Sequence, residues 1–232
     1  MAVQDIQIEQ IEVDVDAAFE DSQKMVEPYP TRGPAASVYG LRPFIEDKVV
    51  CDLGCGGGDL AWLMGRWAKQ VYGIEYDPNR IKNAPRHLGS LRNYTNVSIS
   101  QDDYFTCDLP DADVFYFWPN DPETIDRMVG TLDSRGKSCI LVQASKRSWL
   151  DTELKQQPCI YPNGKRRLST VLSYVESRGG RVLSYPYREH SIAAEVNPDF
   201  WPHEDTWCLS IVPINGSRPS VKPPSWELEW RS

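Results

Sequence analysis

A glycine-rich turn between two apolar runs constrains this chain more than any other feature. Residues 49–53 read VVCDL and lead into Gly54-Cys-Gly-Gly-Gly58, after which apolar residues recur at helical spacing. A second apolar run, 71–74, ends at Glu75. Strand, glycine turn, helix, strand and terminal acid form the first half of a nucleotide-binding α/β unit. The pattern therefore predicts a ligand that contains adenosine.

The glycine spacing separates two classes of such ligand. A dinucleotide motif reads G-x-G-x-x-G, whereas the third small position here is held by Asp59, which is charged and larger. A carboxylate beside the turn would repel a pyrophosphate, which prefers the positive end of a helix dipole. It could instead face the amino group of a zwitterionic amino acid. The glycines themselves would let the backbone pass close to a ligand, since they have no Cβ.

The run Asp52-x-Gly54-x-Gly56-x-Gly58 resembles motif I, [DE]-x-G-x-G-x-G, of the class I S-adenosylmethionine-dependent methyltransferases. The resemblance covers roughly residues 48–145. It implies S-adenosylmethionine as cofactor and methyl transfer by in-line displacement as the reaction. Glu75 would accept hydrogen bonds from two ribose hydroxyls. The cofactor-binding residues implied are Asp52, Gly54, Gly56, Gly58, Glu75, Tyr76, Asp103 and Tyr104.

Two of those residues follow the third predicted strand. Asp103 resembles the family's acid that accepts a hydrogen bond from the adenine amino group, with Asp102 as the other candidate. The aromatic residue after it, Tyr104, would then lie against the adenine ring. An acidic turn without a ligand is the alternative interpretation of the same residues.

Apolar periodicity predicts an α/β fold, doubly wound and mostly parallel, with helices on both faces of the sheet. Strands are predicted at 48–54, 70–76, 97–100, 113–118, 138–143, 181–187 and 207–213. Helices are predicted at 58–69, from Asp77 onward, at 121–132 and at 169–177. The family resemblance, rather than the periodicity, implies a seven-stranded sheet whose last strand is antiparallel.

The chain divides into three regions. Residues 1–34 form an acidic N-terminal arm, 35–214 the cofactor-binding domain, and 215–232 an extended tail rich in Pro and Ser. The arm alternates apolar and polar residues at first, while 16–26 favours a short helix. We expect the arm either to cover the cofactor as a lid or to contact a second copy of the chain in a homodimer.

Composition restricts the partners. A length of 232 residues suits one α/β domain but not a cofactor domain plus a separate catalytic domain. The net charge of −8 argues against nucleic acid and leaves a small-molecule or protein acceptor. Six cysteines without C-x-x-C spacing favour a reduced protein without a metal site. No signal peptide or membrane span is expected, so the predicted location is cytoplasmic.

Trp118 ends the fourth predicted strand, where the family places residues that face the transferred methyl group. The [DN]-P-P-[YF] motif of amino methyltransferases is absent there, and Asn120-Asp121-Pro122 is only a partial match. That departure argues against a nucleobase or glutamine acceptor. Trp118 is a candidate for catalysis and for stacking on a planar acceptor, or else it is a core residue.

The segment 190–205 joins the last two predicted strands and is long enough for a functional lid. His190 or His203 could serve as a general base, because imidazole titrates near neutral pH. Either could equally be a surface histidine. The candidate acceptor-binding residues are Trp118, Phe200, Trp201 and Tyr29.

Two other functions remain open at this point. Tyr161-x-x-x-Lys165 matches the Y-x-x-x-K pattern of short-chain dehydrogenases, which use a nicotinamide cofactor. Pro162 and Gly164 disfavour the helix that this pattern requires. A non-catalytic protein that keeps the methyltransferase fold is the second alternative, since fold does not establish function.

Overall fold

The computed structural model describes residues 8–10, 12–14, 17–18, 20–21, 32–82, 95–118, 122–136, 139–146, 179–187 and 205–215. Its strands are β1 (Ile8–Gln10), β2 (Val49–Leu53), β3 (Gln70–Glu75), β4 (Val97–Gln101), β5 (Val114–Phe117), β6 (Cys139–Lys146), β7 (Arg181–Tyr187) and β8 (Asp205–Ile214). Its helices are α1 (Arg32–Ile45), α2 (Asp59–Met64), α3 (Pro78–Ile81) and α4 (Pro122–Ser134).

The described strands form one sheet in the order β1-β7-β8-β6-β5-β2-β3-β4. Only β8 is antiparallel to its neighbours, β6 and β7, as the family resemblance implied. From β2 the chain proceeds outward through β3 and β4, and it then returns to β5 on the other side of β2. The sheet order therefore reverses between β2 and β5, and open α/β sheets bind ligands at the carboxyl end of such a crevice.

The expected seven strands become eight because the N-terminal arm contributes β1. This strand pairs in parallel with β7, with Ile8 opposite Val182. Farther along the arm, Ala18 is fully buried in the core beneath α1 and α2. The arm is thus built into the fold of its own chain. Its expected roles as a lid or as a homodimer contact stay predictions.

Helix α1 was not predicted from the sequence. It begins at Arg32, so it crosses the boundary expected between residues 34 and 35. Pro43 lies inside the helix and conceals the pattern, because proline removes a helical N–H and normally marks a helix end. The helix is held by its apolar face, whose fully buried residues are Ala35, Ala36, Val38, Leu41 and Ile45.

The sheet is buried on both faces, which explains why its central strands are almost continuously apolar. On one face α1 and α2 pack over Val50 and Val142. On the other face α4 packs over Leu53 and Leu141. Successive residues of β2 alternate between these two cores, so Asp52 lies on the same face as Val50. That placement puts a carboxyl group inside the α1 side of the core.

Other element bounds agree with the predictions to within a few residues, with one clear exception. Helix α2 ends at Met64 rather than near residue 69, because residues 65–67 form a turn. Helix α3 starts as expected: the Asp77 side chain accepts a hydrogen bond from the Asn79 amide at 2.8 Å, and Pro78 follows the cap. The helix predicted at 169–177 lies outside the described residues.

Three further observations apply to the described part of the chain. None of its helices is both long and apolar enough to span a bilayer. No three His, Cys, Asp or Glu side chains within it are grouped to hold a metal ion. Its thiols at Cys51, Cys55 and Cys107 are free.

Candidate active site

The glycine turn after β2 has a backbone that other residues rarely adopt. Gly54, Gly56 and Gly58 have φ angles of 78°, 60° and 88°, all in the left-handed region that favours glycine. The turn is tied to β3, because the amides of Gly54 and Cys55 both donate to the carbonyl oxygen of Ile74, at 2.8 and 3.1 Å. Its conformation is therefore set by the neighbouring strand.

Two glycines of this turn serve different purposes. A Cβ at Gly58 would lie 2.1 Å from Ile99 Cδ1, so this glycine allows the turn to pack against β4. A Cβ at Gly56 would have no atom within 4 Å. The backbone at Gly56 thus borders open space, where a ligand could approach it closely.

Glu75 joins the end of β3 to the glycine turn. Its Oε2 accepts a hydrogen bond from the Gly56 amide, and its Oε1 accepts one from the Asp77 amide, both at 2.8 Å. The residue is only 6% exposed. An ionised carboxylate offers about four lone-pair sites, so two remain for further donors such as ribose hydroxyls. The ribose contact expected of Glu75 is compatible with this geometry and stays a prediction.

Asp103 organises the turn that follows β4. Its Oδ1 accepts a hydrogen bond from the Phe105 amide at 2.9 Å, and its own amide donates to Asp102 Oδ1 at 3.0 Å. Residue 102 is in turn held by β3, since its amide donates to the Glu75 carbonyl oxygen at 3.0 Å. The described contacts of Asp103 are those of an acidic turn, and its contact with adenine stays a prediction.

Aromatic rings line the carboxyl end of the crevice between β2 and β5. The Tyr104 ring approaches Gly54, where a Cβ would lie 3.8 Å from it, and it meets Phe117 edge-on with centroids 5.7 Å apart. The Arg127 guanidinium lies 3.8 Å from the centroid of the Phe105 ring. Directly after Glu75, Tyr76 is 71% exposed. The expected contact of Tyr104 with adenine and the expected role of Tyr76 in cofactor binding stay predictions.

Asp52 is the least conventional residue of the site. Its side chain is 3% exposed, and its Oδ2 has no hydrogen-bond partner. Burial, together with the negative charges of Asp59 and Glu75, raises the pKa of the Asp52 carboxyl to about 8. Nearby on α2, the buried Trp62 Nε1 also lacks a partner. The motif identified Asp52 from the sequence, but its burial could not be inferred from the motif.

Sequence reasoning missed two residues that support the turn from behind. A Cβ at Gly73 would lie 2.8 Å from Cys55 Sγ, so the bare backbone of β3 makes room for the Cys55 side chain under the turn. A glycine inside a strand is the available signal, because it often marks a close approach. Burial raises the pKa of the Cys55 thiol well above its usual value. The thiol therefore acts as packing.

A buried hydrogen bond connects α1 with the crevice. Ser37 Oγ and Tyr116 Oη are 2.9 Å apart, and both residues are almost completely buried. Tyr116 is the register partner of Asp52 on the neighbouring strand. Helix α1 is thereby held against the strands that end at the glycine turn.

Trp118 lies at the carboxyl end of β5 and is partly buried. It packs against the α1 side of the core and meets Tyr116 edge-on, with ring centroids 6.4 Å apart. It is therefore a core contact at least in part, and its roles in catalysis and acceptor binding stay predictions. The other candidates for these roles lie outside the described residues: Tyr29, His190, Phe200, Trp201 and His203.

Comparison with known proteins agrees with this geometry. Residues 45–158 match the family model of a methyltransferase domain. An uncharacterised protein of Methanocaldococcus jannaschii is 39% identical over 70 residues, which are 30% of this chain. The matched part spans only 27% of that relative's length.

Solved structures with a similar fold include three methyltransferases of low sequence identity. A putative RNA methyltransferase from Pyrococcus horikoshii has a TM-score of 0.52 at 13% identity, covering 90% of this chain and all (100%) of that one. A precorrin-6Y C5,15-methyltransferase from Geobacter metallireducens has a TM-score of 0.51 at 15% identity, covering 77% of this chain and 86% of that one. An S-adenosylmethionine-dependent O-methyltransferase from Thermotoga maritima has a TM-score of 0.50 at 16% identity, covering 86% of this chain and 71% of that one.

These likenesses show the fold, and the family match adds the activity class. The match begins at the last residue of α1 and runs beyond β6, so it contains the glycine turn, Glu75 and the crevice between β2 and β5. Every part of the candidate cofactor site described above thus falls within a methyltransferase domain. The chain accordingly contains a methyltransferase domain, with the fold of the class I S-adenosylmethionine-dependent methyltransferases.

Proposed function

We propose that this enzyme transfers the methyl group of S-adenosylmethionine to a small molecule or to a protein side chain. The cofactor supplies an electrophilic methyl group on a sulfonium. The chain's contribution is to bind, to align an acceptor nucleophile opposite the sulfur, and to exclude water. Alignment and water exclusion can supply most of the rate of such a displacement.

The geometry of the turn supports the proposed cofactor contacts. Gly56 borders open space, and the Glu75 carboxylate beside it keeps acceptor capacity after its two backbone contacts. Glu75 would hold the ribose hydroxyls, while Tyr76 and Tyr104 would contact the adenine. Asp59, which follows the glycine turn, would supply negative charge for a cofactor that carries a sulfonium and an ammonium group.

The proposed acceptor class rests on the acidic side chains at the carboxyl end of the sheet. Acidic side chains lie at the carboxyl ends of β3 and β4 and after the glycine turn that follows β2: Asp59, Glu75, Asp102 and Asp103. A phosphate backbone laid along this edge would meet like charge, and the chain as a whole has a net charge of −8. A neutral or cationic acceptor fits this edge better than a nucleic acid. The RNA methyltransferase among the similar structures shares the fold only.

Trp118 is the proposed wall of the acceptor pocket. It stands on the strand next to β2, at the same end of the sheet as the glycine turn. Its partial exposure leaves part of the ring available to an acceptor, while its contact with Tyr116 restrains it. Amphipathic rings in this position suit concave, mostly apolar pockets.

The dehydrogenase alternative is not carried forward, because the family match is to methyltransferases. The Tyr161 and Lys165 pair on which it rested lies outside the described residues. A non-catalytic member of the fold remains one outcome of the experiment below.

The test follows label from methyl-labelled S-adenosylmethionine into three separated fractions: small metabolites, proteins and RNA. We expect label in the metabolite or protein fraction and none above background in RNA. Labelled RNA would overturn the proposed acceptor class. Absence of transfer to all three, with the cofactor bound, would favour the non-catalytic alternative.

Two variants make the result specific. Glu75→Ala should lose transfer together with cofactor binding. Trp118→Ala should raise the acceptor KM or lower kcat while cofactor affinity, measured by calorimetry, changes less than about threefold. An acceptor KM and kcat unchanged in Trp118→Ala would place the pocket elsewhere.

A further inference from the structure

We propose that Asp52 is protonated in the free enzyme and loses its proton when S-adenosylmethionine binds, so that donor binding releases a proton to solvent. The inference depends on the identity of the methyl donor and not on that of the acceptor. It states that the Asp52 carboxyl changes its protonation state when the donor binds.

The position of Asp52 within the sheet is the first argument. It lies between β3 and β5, with Gly73 and Tyr116 as its register partners. At 3% exposure it has almost no contact with water, and its Oδ2 accepts no hydrogen bond. A carboxylate with so little access to water, and with one buried oxygen that accepts no hydrogen bond, is disfavoured relative to the neutral acid.

The second argument is the charge around it. Asp59 on α2 and Glu75 on β3 both act on Asp52, and both carry negative charge when ionised. The remaining titratable neighbours are Tyr116 on β5, Cys55 in the turn and Cys51 on β2, and each has a raised pKa that keeps it neutral.

No cation is among the described groups that act on Asp52. Helix α1 faces this region with the hydroxyl of Ser37, which does not titrate near neutral pH. The free protein thus contains an acidic cluster with a buried, unpartnered carboxyl group at its centre. Asp52 is the member of the cluster with the least access to water.

The donor would change this balance. S-adenosylmethionine carries a net charge of about +1 at neutral pH, from a sulfonium, an ammonium and a carboxylate. An opposite charge within about 4–6 Å lowers a carboxyl pKa by about 1–3. Since the pKa of Asp52 is raised to about 8 in the free protein, such a change crosses neutral pH. The product, S-adenosylhomocysteine, lacks the sulfonium charge, so its binding should release a smaller fraction of a proton.

Calorimetry at pH 7.0 in buffers of different ionisation enthalpy measures the released proton directly. The slope of binding enthalpy against buffer enthalpy gives the number of protons. We expect a release of about 0.4 to 0.9 proton for S-adenosylmethionine, since lowering a pKa of about 8 by about 1–3 leaves the carboxyl half to almost fully ionised at pH 7.0, and a clearly smaller release for S-adenosylhomocysteine. Wild-type enzyme that binds the donor with zero slope would overturn the proposal.

Asp52→Asn tests the assignment, because the amide has the shape of the acid but cannot titrate. It should bind the donor without proton release. Asp47→Asn is the matched control: Asp47 is exposed, precedes the same strand at its other end, and has a positive φ of 58° that asparagine tolerates. The control should release as many protons on donor binding as the wild-type enzyme. If Asp52→Asn also released as many as the wild type, the proton would come from another group.

A second measurement covers the case in which Asp52→Asn fails to bind or to fold. Infrared difference spectra of the free wild-type protein across pH 6–9 report the C=O stretch of a protonated carboxylic acid. That band should be present at pH 7 and should disappear when the donor is added. A free enzyme without a protonated carboxyl at pH 7 would contradict the proposal independently of the variant.

Discussion

The Glu75 carboxylate accepts a hydrogen bond from the Gly56 amide at 2.8 Å, which joins the tip of β3 to the centre of the glycine turn. The same carboxylate accepts the Asp77 amide at the start of α3. A residue expected from the motif to contact ribose is thus also a structural brace between two loops. Substitutions at Glu75 must therefore be analysed for stability as well as for affinity.

Glu75→Ala should lower both properties. It leaves two backbone N–H groups without their partner, and each one that stays buried lowers the free energy of unfolding by about 1–3 kcal/mol. It also removes the proposed ribose contact, worth roughly tenfold or more in donor affinity. Glu75→Gln keeps one acceptor oxygen, so it should retain more stability while losing affinity. Thermal unfolding and calorimetry separate the two effects, and wild-type affinity in Glu75→Gln would argue against a ribose contact.

Gly56→Ala should mainly weaken donor binding, whereas Gly58→Ala should mainly lower stability. Both place a Cβ on a left-handed backbone, at a cost of about 1–2 kcal/mol. The new methyl group at Gly56 enters open space, so the further loss should be in donor affinity. At Gly58 it meets Ile99 Cδ1, so the further loss should be in the free energy of unfolding. If Gly56→Ala binds the donor normally, the cofactor does not approach this part of the turn.

Ile99→Val provides the control for the Gly58 contact, because it removes the Cδ1 atom in conflict. The double variant Gly58→Ala/Ile99→Val should be more stable than the sum of the two single changes predicts. Additive effects would show that backbone strain, rather than the contact with Ile99, accounts for the whole cost. Chemical denaturation measures both terms.

Tyr116→Phe should destabilise the protein by about 0.5–1.5 kcal/mol, because it removes the buried hydrogen bond between Tyr116 and Ser37. Ser37→Ala should destabilise it by about 1–3 kcal/mol, because it leaves the buried Tyr116 hydroxyl without this partner. The double variant should cost less than the sum of the single variants, since the Tyr116 hydroxyl is then absent rather than unpaired. Additivity in this double-mutant cycle would show that the hydrogen bond contributes nothing.

The free energy of unfolding should fall with pH over a window set by Asp52. Its pKa is about 8 in the folded protein against an ordinary value of 3.8, so between about pH 4 and 8 the folded state holds a proton that the unfolded state has released. The protonation of Asp52 should therefore lower the free energy of unfolding by up to about 1.4 kcal/mol for each unit by which the pH rises. Asp52→Asn should flatten the profile, and identical slopes would show that Asp52 is ionised in the fold.

The part of the fold from β2 to β6 was predictable because its signals are local. Strands β2, β3, β5 and β6 each contain a short apolar run, and the cap at Asp77 and the glycines of the turn are readable one residue at a time. The N-terminal elements were not. Strand β1 has three residues and exists through its pairing with β7, which lies more than 170 positions away. Helix α1 is held by burial of one apolar face despite Pro43.

For the site, the sequence by itself determined the chemical class of the ligand, because glycine spacing and a strand-terminal acid constrain the backbone and the hydrogen-bonding groups directly. Only the tertiary structure decided how those groups relate to one another. It joined Glu75 to Gly56, placed Gly73 behind Cys55, and buried Asp52 between β3 and β5. The physical reason is that desolvation and electrostatic coupling depend on neighbours in space, and neighbouring strands of a parallel sheet bring together residues that are distant in the chain.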